Sequence, residues 1–365
     1  MRRIRKISAA TALALSLGAV VGGTVAVPSA RAQTVATSQA KGTVTVDRVR
    51  STPTTVAGVN LYVNKNYSLR QIKEWGARDL AYIAYTLKLK AVQIDWDYNV
   101  PNRFANVVKA SRTRTPTIAD LEALTTLAKF FGLRVEYRVL FAINNKDSRS
   151  GSIQPRDLGV WLDWLLSTEN ATLRLAQRDK VKEFVVGTEM ASIDQSPLWG
   201  GFFKKAAKIY HGVLSYAQWG GRPDVGGFFS KYRVPLPVHA LGVSAYPSIP
   251  LSPLATVASL TAAWKSFLTS NTPASVLRRT QIDEVGIPAV SGAYYDPWQW
   301  DGLTGPVNPT VQARWFTAAC AAAHAEHMRG IYFWSQTLND DPAKPFNSLV
   351  GFLGRPASLA AIRSC

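Results

Sequence analysis

The chain has 365 residues, 47% hydrophobic and 18% charged, with a formal net charge of +18 at pH 7. A chain of this length suits one large α/β domain and can bury a full core without staples. The positive balance favours anionic surroundings. Nucleic acid is excluded as the partner, because the basic residues are scattered and form no basic helix or nucleic-acid motif.

The first segment is a targeting signal. Arg2, Arg3, Arg5 and Lys6 precede an apolar stretch, Ala9 to Val27, and Ala30-Arg31-Ala32 is a small-x-small cleavage site. Residues 1–32 therefore read as a signal peptide; the alternative is an uncleaved membrane anchor, since the apolar run approaches spanning length. Cleavage would remove five bases and leave about +13. A secreted or cell-envelope-associated protein of that charge would be drawn to an anionic cell-envelope polymer, or its soluble surface is simply basic. Residues 33–55 are polar and lack a period, and read as a tether. No later segment is long and apolar enough to span a bilayer, so no transmembrane domain is expected after signal cleavage.

From residue 56 to 365 short β-rich runs alternate with helical patterns. Val56 to Val63 is the first strand, and Ser68 to Leu89 a helix with Leu69, Ile72, Trp75, Leu80, Ile83 and Leu87 on its apolar positions. Ala91 to Asn99 alternates strictly, with Val92, Ile94, Trp96 and Tyr98 against Gln93, Asp95, Asp97 and Asn99. Thr115-Pro116-Thr117 starts a helix over Ile118 to Phe131 that Gly132 closes. Leu133 to Ile143 is the third strand, and Pro155 opens a long helix that continues or restarts up to Val181. Glu183 to Ala191 carries the fourth strand and Trp199 to Tyr210 the next helix. Gly212 to Ala217 is a weak fifth strand, followed by an irregular Gly- and Pro-rich region from Gln218 to Val238. Ala240 to Tyr246, Arg279 to Gly286 and Ile331 to Ser335 complete the strands. Helices are expected over Leu254 to Leu268, Pro309 to about Glu326 and Ser358 to Arg363, with a long loop from Pro288 to Val307. Eight βα units in one chain imply the α/β class and a single-domain (β/α)8 TIM barrel. A doubly wound sheet is the alternative, but no Gly-rich phosphate loop follows the first strand.

Two cysteines in an exported chain are candidates for pairing, and a Cys320–Cys365 bridge would pin the C-terminal tail to a helix. The histidines, His211, His239, His324 and His327, show no ligand spacing with them, and His324 and His327 read as the exposed part of a helix. Neither a metal nor an organic cofactor is expected.

Strand ends at the C-terminal side of a parallel barrel are where active sites are built. Glu189 ends the fourth strand, Glu284 the seventh and Trp334 the eighth. Two carboxylates and an aromatic platform suit glycosidic bond chemistry, in which one group protonates the leaving oxygen and another captures the anomeric carbon. Strands four and seven face each other across the barrel, which predicts retention, with Glu189 held partly neutral and Glu284 ionised among donors such as Tyr246. Trp298 and Trp300, in the long loop, are further stacking candidates. Asn60 and Asp95 could bind sugar hydroxyls from the mouth; for Asp95 a salt bridge with Arg138 is equally open. Asp283 should point away from Glu284 if its strand is regular, and Glu183, at the barrel's other end, reads as a solvated charge.

These strand ends resemble the clan A retaining glycoside hydrolases, with an acid/base Glu after strand four and a nucleophile Glu after strand seven. The nearest resemblance is to family 113, the β-mannanase-like barrels. It rests on Gly187-Thr188-Glu189, Ala245-Tyr246-Pro247, Glu284-Val285-Gly286 and Tyr332-Phe333-Trp334, and covers about Gly58 to Ser335. The resemblance implies Glu189 as acid/base, Glu284 as nucleophile, Tyr246 beside the nucleophile, Trp334 as sugar platform and a polysaccharide or oligosaccharide substrate. Many members of the clan carry Asn before the acid/base, where it binds the sugar 2-hydroxyl; here that position is Thr188. Two other readings use the same residues: a non-catalytic carbohydrate-binding barrel, and a transglycosylase that passes the sugar to an acceptor other than water.

Overall fold

A computed structural model describes residues 55–144, 150–220, 240–270, 272–300, 305–344 and 348–365. The expected signal peptide and nearly all of the tether lie outside the described residues. Residues 51–365 form one compact unit.

Eight parallel strands close on themselves: β1 (Val56–Val63), β2 (Ala91–Val100), β4 (Arg134–Ile143), β5 (Glu183–Thr188), β6 (Val213–Gly220), β7 (Leu241–Ala245), β8 (Thr280–Val285) and β9 (Gly330–Thr337). Pairing of β1 with both β2 and β9 shuts the barrel, and a two-residue strand, β3 (Lys109–Ala110), adds antiparallel to β2 at the rim. The single-domain (β/α)8 expectation holds.

The helices are set by their caps. Ser68 and Gln71 form a capping box that starts α1 (Leu69–Ala81), and Thr117 with Asp120 does the same for α2 (Ile118–Phe130). The expected helix from 68 to 89 is thus shorter, and passes into a π-helical turn at Tyr82–Thr86. Asp157, rather than Pro155, caps α3 (Leu158–Arg178), which runs unbroken. α4 (Trp199–Ala206), α5 (Val257–Thr269), α6 (Ala274–Leu277), α7 (Pro309–Ala325) and α8 (Pro356–Arg363) follow. Cys320 of α7 and Cys365 are joined in a disulfide, as expected.

The apolar core lies between sheet and helices. Val92, Ile94, Trp96 and Tyr98 of β2 face outward into it, Trp96 meeting Tyr137 at 5.4 Å. The inside of the barrel is polar, whereas Val, Ile and Leu usually fill it. Gln93, Asp95, Glu136, Arg138, Glu183, Gln281 and Asp283 are all buried and bonded across it. Glu183 is therefore no solvated charge: it is fully buried and ion-paired with Arg329 of the segment before β9.

Candidate active site

β5 delivers Glu189 to the mouth. Phe184, Val185 and Val186 are buried, the strand ends at Thr188, and Glu189 follows with φ of 58°, in the left-handed region that few non-glycine residues adopt. Its N–H donates to the Ala217 carbonyl of β6 at 2.8 Å, which holds this turn in place.

Across the barrel, β8 is irregular. Val243 pairs with Ile282 and Ser244 with Glu284, so Asp283 is an extra residue in a bulge. Both acids consequently reach the interior: Asp283 accepts from Gln93 Nε2 at 3.2 Å, while Glu284 sits at the mouth, 7% exposed. The expectation that Asp283 points away fails for this reason. Asp283 also needs Gly242, because a Cβ there would lie 1.6 Å from its Oδ2.

Arg138 of β4 is the hub beneath the mouth and is wholly buried. Its Nη2 donates to Glu284 Oε2 and lies 3.3 Å from Ser244 Oγ, its Nη1 lies 3.3 Å from Asp95 Oδ2 and its Nε 3.4 Å from Thr188 Oγ1. Tyr246 donates its hydroxyl proton to the other oxygen, Glu284 Oε1. Glu284 is thus clamped on both oxygens. Burial works against the Arg138 cation, but Glu284, Asp95, Asp283 and Glu189 outweigh it and raise its pKa. Burial likewise raises the Tyr246 phenol well above its ordinary value, and Glu284 and Glu189 push it further.

The interior holds more acid than base. Burial lifts Asp95 well above the usual carboxylate range against the pull of Arg138. Burial, then the neighbouring Glu183, pushes Asp283 up to about 8.

The expected substrate contacts at Asn60 and Asp95 need correction. Neither exposes any surface; Asn60 Nδ2 donates to Gln93 Oε1 at 2.9 Å and to Asp95 Oδ2 at 3.0 Å. They brace Arg138 from below, and the salt-bridge reading of Asp95 is the one observed. Thr188, 2% exposed, also faces Arg138.

Aromatic side chains line two sides of the mouth. On one, Trp334 lies 5.6 Å from Tyr62, with the Arg138 guanidinium 5.7 Å from its ring centre. On the other, Tyr246 stacks on Trp219 at 5.5 Å and takes Trp300 edge-on at 5.5 Å, and Trp298 meets Trp219 at 6.4 Å. Gly286 lets these groups converge: a Cβ there would lie 3.0 Å from the Trp300 ring and 3.3 Å from the Tyr246 hydroxyl. All four tryptophans are partly exposed. The sequence reading missed Trp219, since it ended the fifth strand at Ala217 where β6 continues to Gly220. It saw Arg138 only as a partner for Asp95, although Glu136-x-Arg138 on an otherwise apolar strand marks the inward face.

Among the described residues, the metal-ligating types come together at Cys320, His324 and Cys365. Both sulfurs are committed to the disulfide, and His324 Nε2 lies 3.1 Å from the Cys365 carbonyl. His324 is half-buried rather than exposed as expected, while His327 is exposed.

No curated protein sequence matches the chain. Its fold matches a structure of a GH113 β-1,4-mannanase with a TM-score of 0.69 at 16% identity, over 86% of this chain and 98% of that one. A complex structure of a GH113 β-1,4-mannanase matches with a TM-score of 0.66 at 16% identity, over 86% and 97%. The GH113 β-mannanase AaManA from Alicyclobacillus acidocaldarius, in complex with ManMIm, gives 0.66 at 17% identity, over 85% and 97%. The model of Glycoside Hydrolase Family 113 matches residues 70–345, about three-quarters of the chain. The chain therefore belongs to glycoside hydrolase family 113 and is a glycosidase acting on polysaccharide.

Proposed function

We propose that this protein is an exported, retaining β-mannan hydrolase that works by double displacement, with Glu284 as nucleophile and Glu189 as general acid/base. The observation that carries the reading is the clamp on Glu284. Arg138 and Tyr246 donate to its two oxygens, so the carboxylate is fixed in direction, as a nucleophile on an anomeric carbon must be. Glu189 lies at the end of the facing strand and feels the same Arg138 and Tyr246. It would protonate the leaving oxygen, then deprotonate the water that releases the sugar. Trp334 offers a stacking face on one side of this pair. Trp219 and Trp298 offer another on the side of β6, next to β5 and hence to the acid/base, where the leaving part of the chain would rest. The mannan substrate is taken from the solved β-1,4-mannanases of the family. Export is supported by the leader-like residues 1–32 and by the Cys320–Cys365 disulfide, a bond that persists in oxidising compartments.

The test is reducing-sugar release from β-mannans, galactans and arabinans by the parent, Glu189→Ala and Glu284→Ala proteins. Added azide distinguishes the roles on an aryl β-mannoside, whose leaving group needs no acid: in Glu189→Ala it attacks the glycosyl-enzyme in place of base-activated water and gives a glycosyl azide of unchanged anomeric configuration. Loss of about 10²- to 10⁴-fold on mannan is expected in Glu189→Ala, and on the aryl β-mannoside azide should give the retained glycosyl azide there and the inverted one in Glu284→Ala. Full mannan activity in either variant would refute the assignment.

A further inference from the structure

The end of the barrel opposite the mouth, where strands begin and helices finish, is a ring of unpaired cations. The segments that lead into β2, β5, β6 and β8 carry Lys88, Lys90, Lys180, Lys182, Lys208, Arg278 and Arg279, all exposed. None of the seven is in an ion pair among the described residues. The acids of the same segments, Asp179 and Glu326, are half-buried and already paired with Arg178 and Lys265. At the mouth the signs are mixed: Asp157, Asp296, Asp340 and Asp341 stand among Arg103, Arg112 and Arg156. Cations in the last turn of a helix, such as Lys129 and Arg178, are explained by the helix dipole, but that effect fades beyond the last turn and leaves these loop bases unexplained.

Two further features share this face. Phe130 is 78% exposed and Tyr85 65% exposed, joined through Phe131 at 5.2 Å and 5.7 Å respectively. Tyr85 precedes Lys88 and Phe130 directly follows Lys129, so each ring stands beside a lysine in the chain. A groove of about 440 Å³ at this end is lined by Lys180, Lys182, Tyr210 and His211.

We propose that this lower face docks on an anionic phospholipid bilayer, with the mouth turned away from the membrane towards its glycan. A broad ring of charge fits a flat anionic surface better than a single linear polymer, and aromatic rings among lysines suit the headgroup layer of a bilayer. The groove has room for the phosphate of a phosphatidylglycerol headgroup between Lys180 and Lys182. The docking does not depend on the mannan reading, because none of its residues belongs to the active site.

The experiment is flotation of the full chain with vesicles of phosphatidylcholine alone and with about a third phosphatidylglycerol. Each Lys near such a surface strengthens binding about fivefold, so Lys180→Gln/Lys182→Gln should weaken it about thirtyfold, and added salt should weaken the parent steeply. Phe130→Ser should reduce binding further, and Arg278→Gln/Arg279→Gln repeats the charge test on the far side of the ring. The leader is the same in every variant, so differences between them belong to the barrel. Equal binding of the parent to both vesicles, or unaltered binding of both double variants, would overturn the proposal. So would binding to soluble poly(glycerol phosphate) without binding to vesicles, since the face would then serve a polymer.

Discussion

Arg138→Met is the substitution that most directly tests the clamp. The side chain is of similar length and apolar, so the space is kept and the charge is lost. Two buried carboxyl groups, Glu284 and Asp95, would then face each other without the cation that lies between them. Breaking a buried ion pair by removing one partner costs about 3–5 kcal/mol. At about 2 °C per kcal/mol for a domain of this size, melting should fall by about 6–10 °C. The catalytic readout is separate: without Arg138 the Oε2 of Glu284 loses its donor and its fixed direction, so kcat/KM should fall across the pH range. Arg138→Lys restores the charge but offers a single ammonium where a planar fork reached Glu284, Asp95, Ser244 and Thr188, and should fall between the two. The measurements are a thermal melt and a pH–rate profile on mannan oligosaccharides. A variant that melts within a degree of the parent and keeps its kcat/KM would show that Glu284 does not depend on Arg138.

Asp283 carries a pH prediction. Its carboxyl is pushed up to about 8 in the fold, against about 4 when unfolded, so the native state holds a proton that the unfolded chain has released. Stability from this group is intact below pH 4 and declines as pH rises towards 8. The melting temperature of Asp283→Asn relative to the parent should therefore improve between pH 5 and pH 8, and a constant difference would refute the buried proton. Removal of the disulfide by Cys365→Ala frees a loop with a sequence separation of 45, which the chain-entropy model values at about 4 kcal/mol; a melting loss of roughly 8 °C is expected in calorimetry under oxidising conditions. Trp219→Ala and Trp298→Ala should each raise KM on mannan oligosaccharides about 2- to 10-fold with little change in kcat on short substrates, since one stacking contact is worth about 0.5–1.5 kcal/mol. Equal effects on kcat alone would place these rings away from the bound chain.

The outer shell of the barrel was plain in the sequence because local physics sets it. Ser68 and Thr117 announce their helices, and the alternation of Val92, Ile94, Trp96 and Tyr98 announces a strand with two unlike faces. What alternation does not tell is which face looks inward when the inside is polar. Glu183 and Arg329 are 146 residues apart, and only closure of the barrel brings them together, so each alone reads as a solvated charge. The bulge in β8 is likewise invisible: one extra residue turns Asp283 inward, and no turn-forming residue marks it. Glu189, Glu284, Tyr246 and Trp334 were legible because strand ends in a parallel barrel must converge. Arg138, held by bonds to four other strands, was not.

The backbone of Glu189 also bears on how such a protein could change over time. A residue with a side chain at φ of 58° stores about 1 kcal/mol or more that a glycine at the same place would release. Replacement of Glu189 by Gly would thus remove the carboxylate from the mouth while relieving the backbone. At this position, loss of the proposed acid/base is downhill in stability, so a carboxylate there runs against the backbone's own preference.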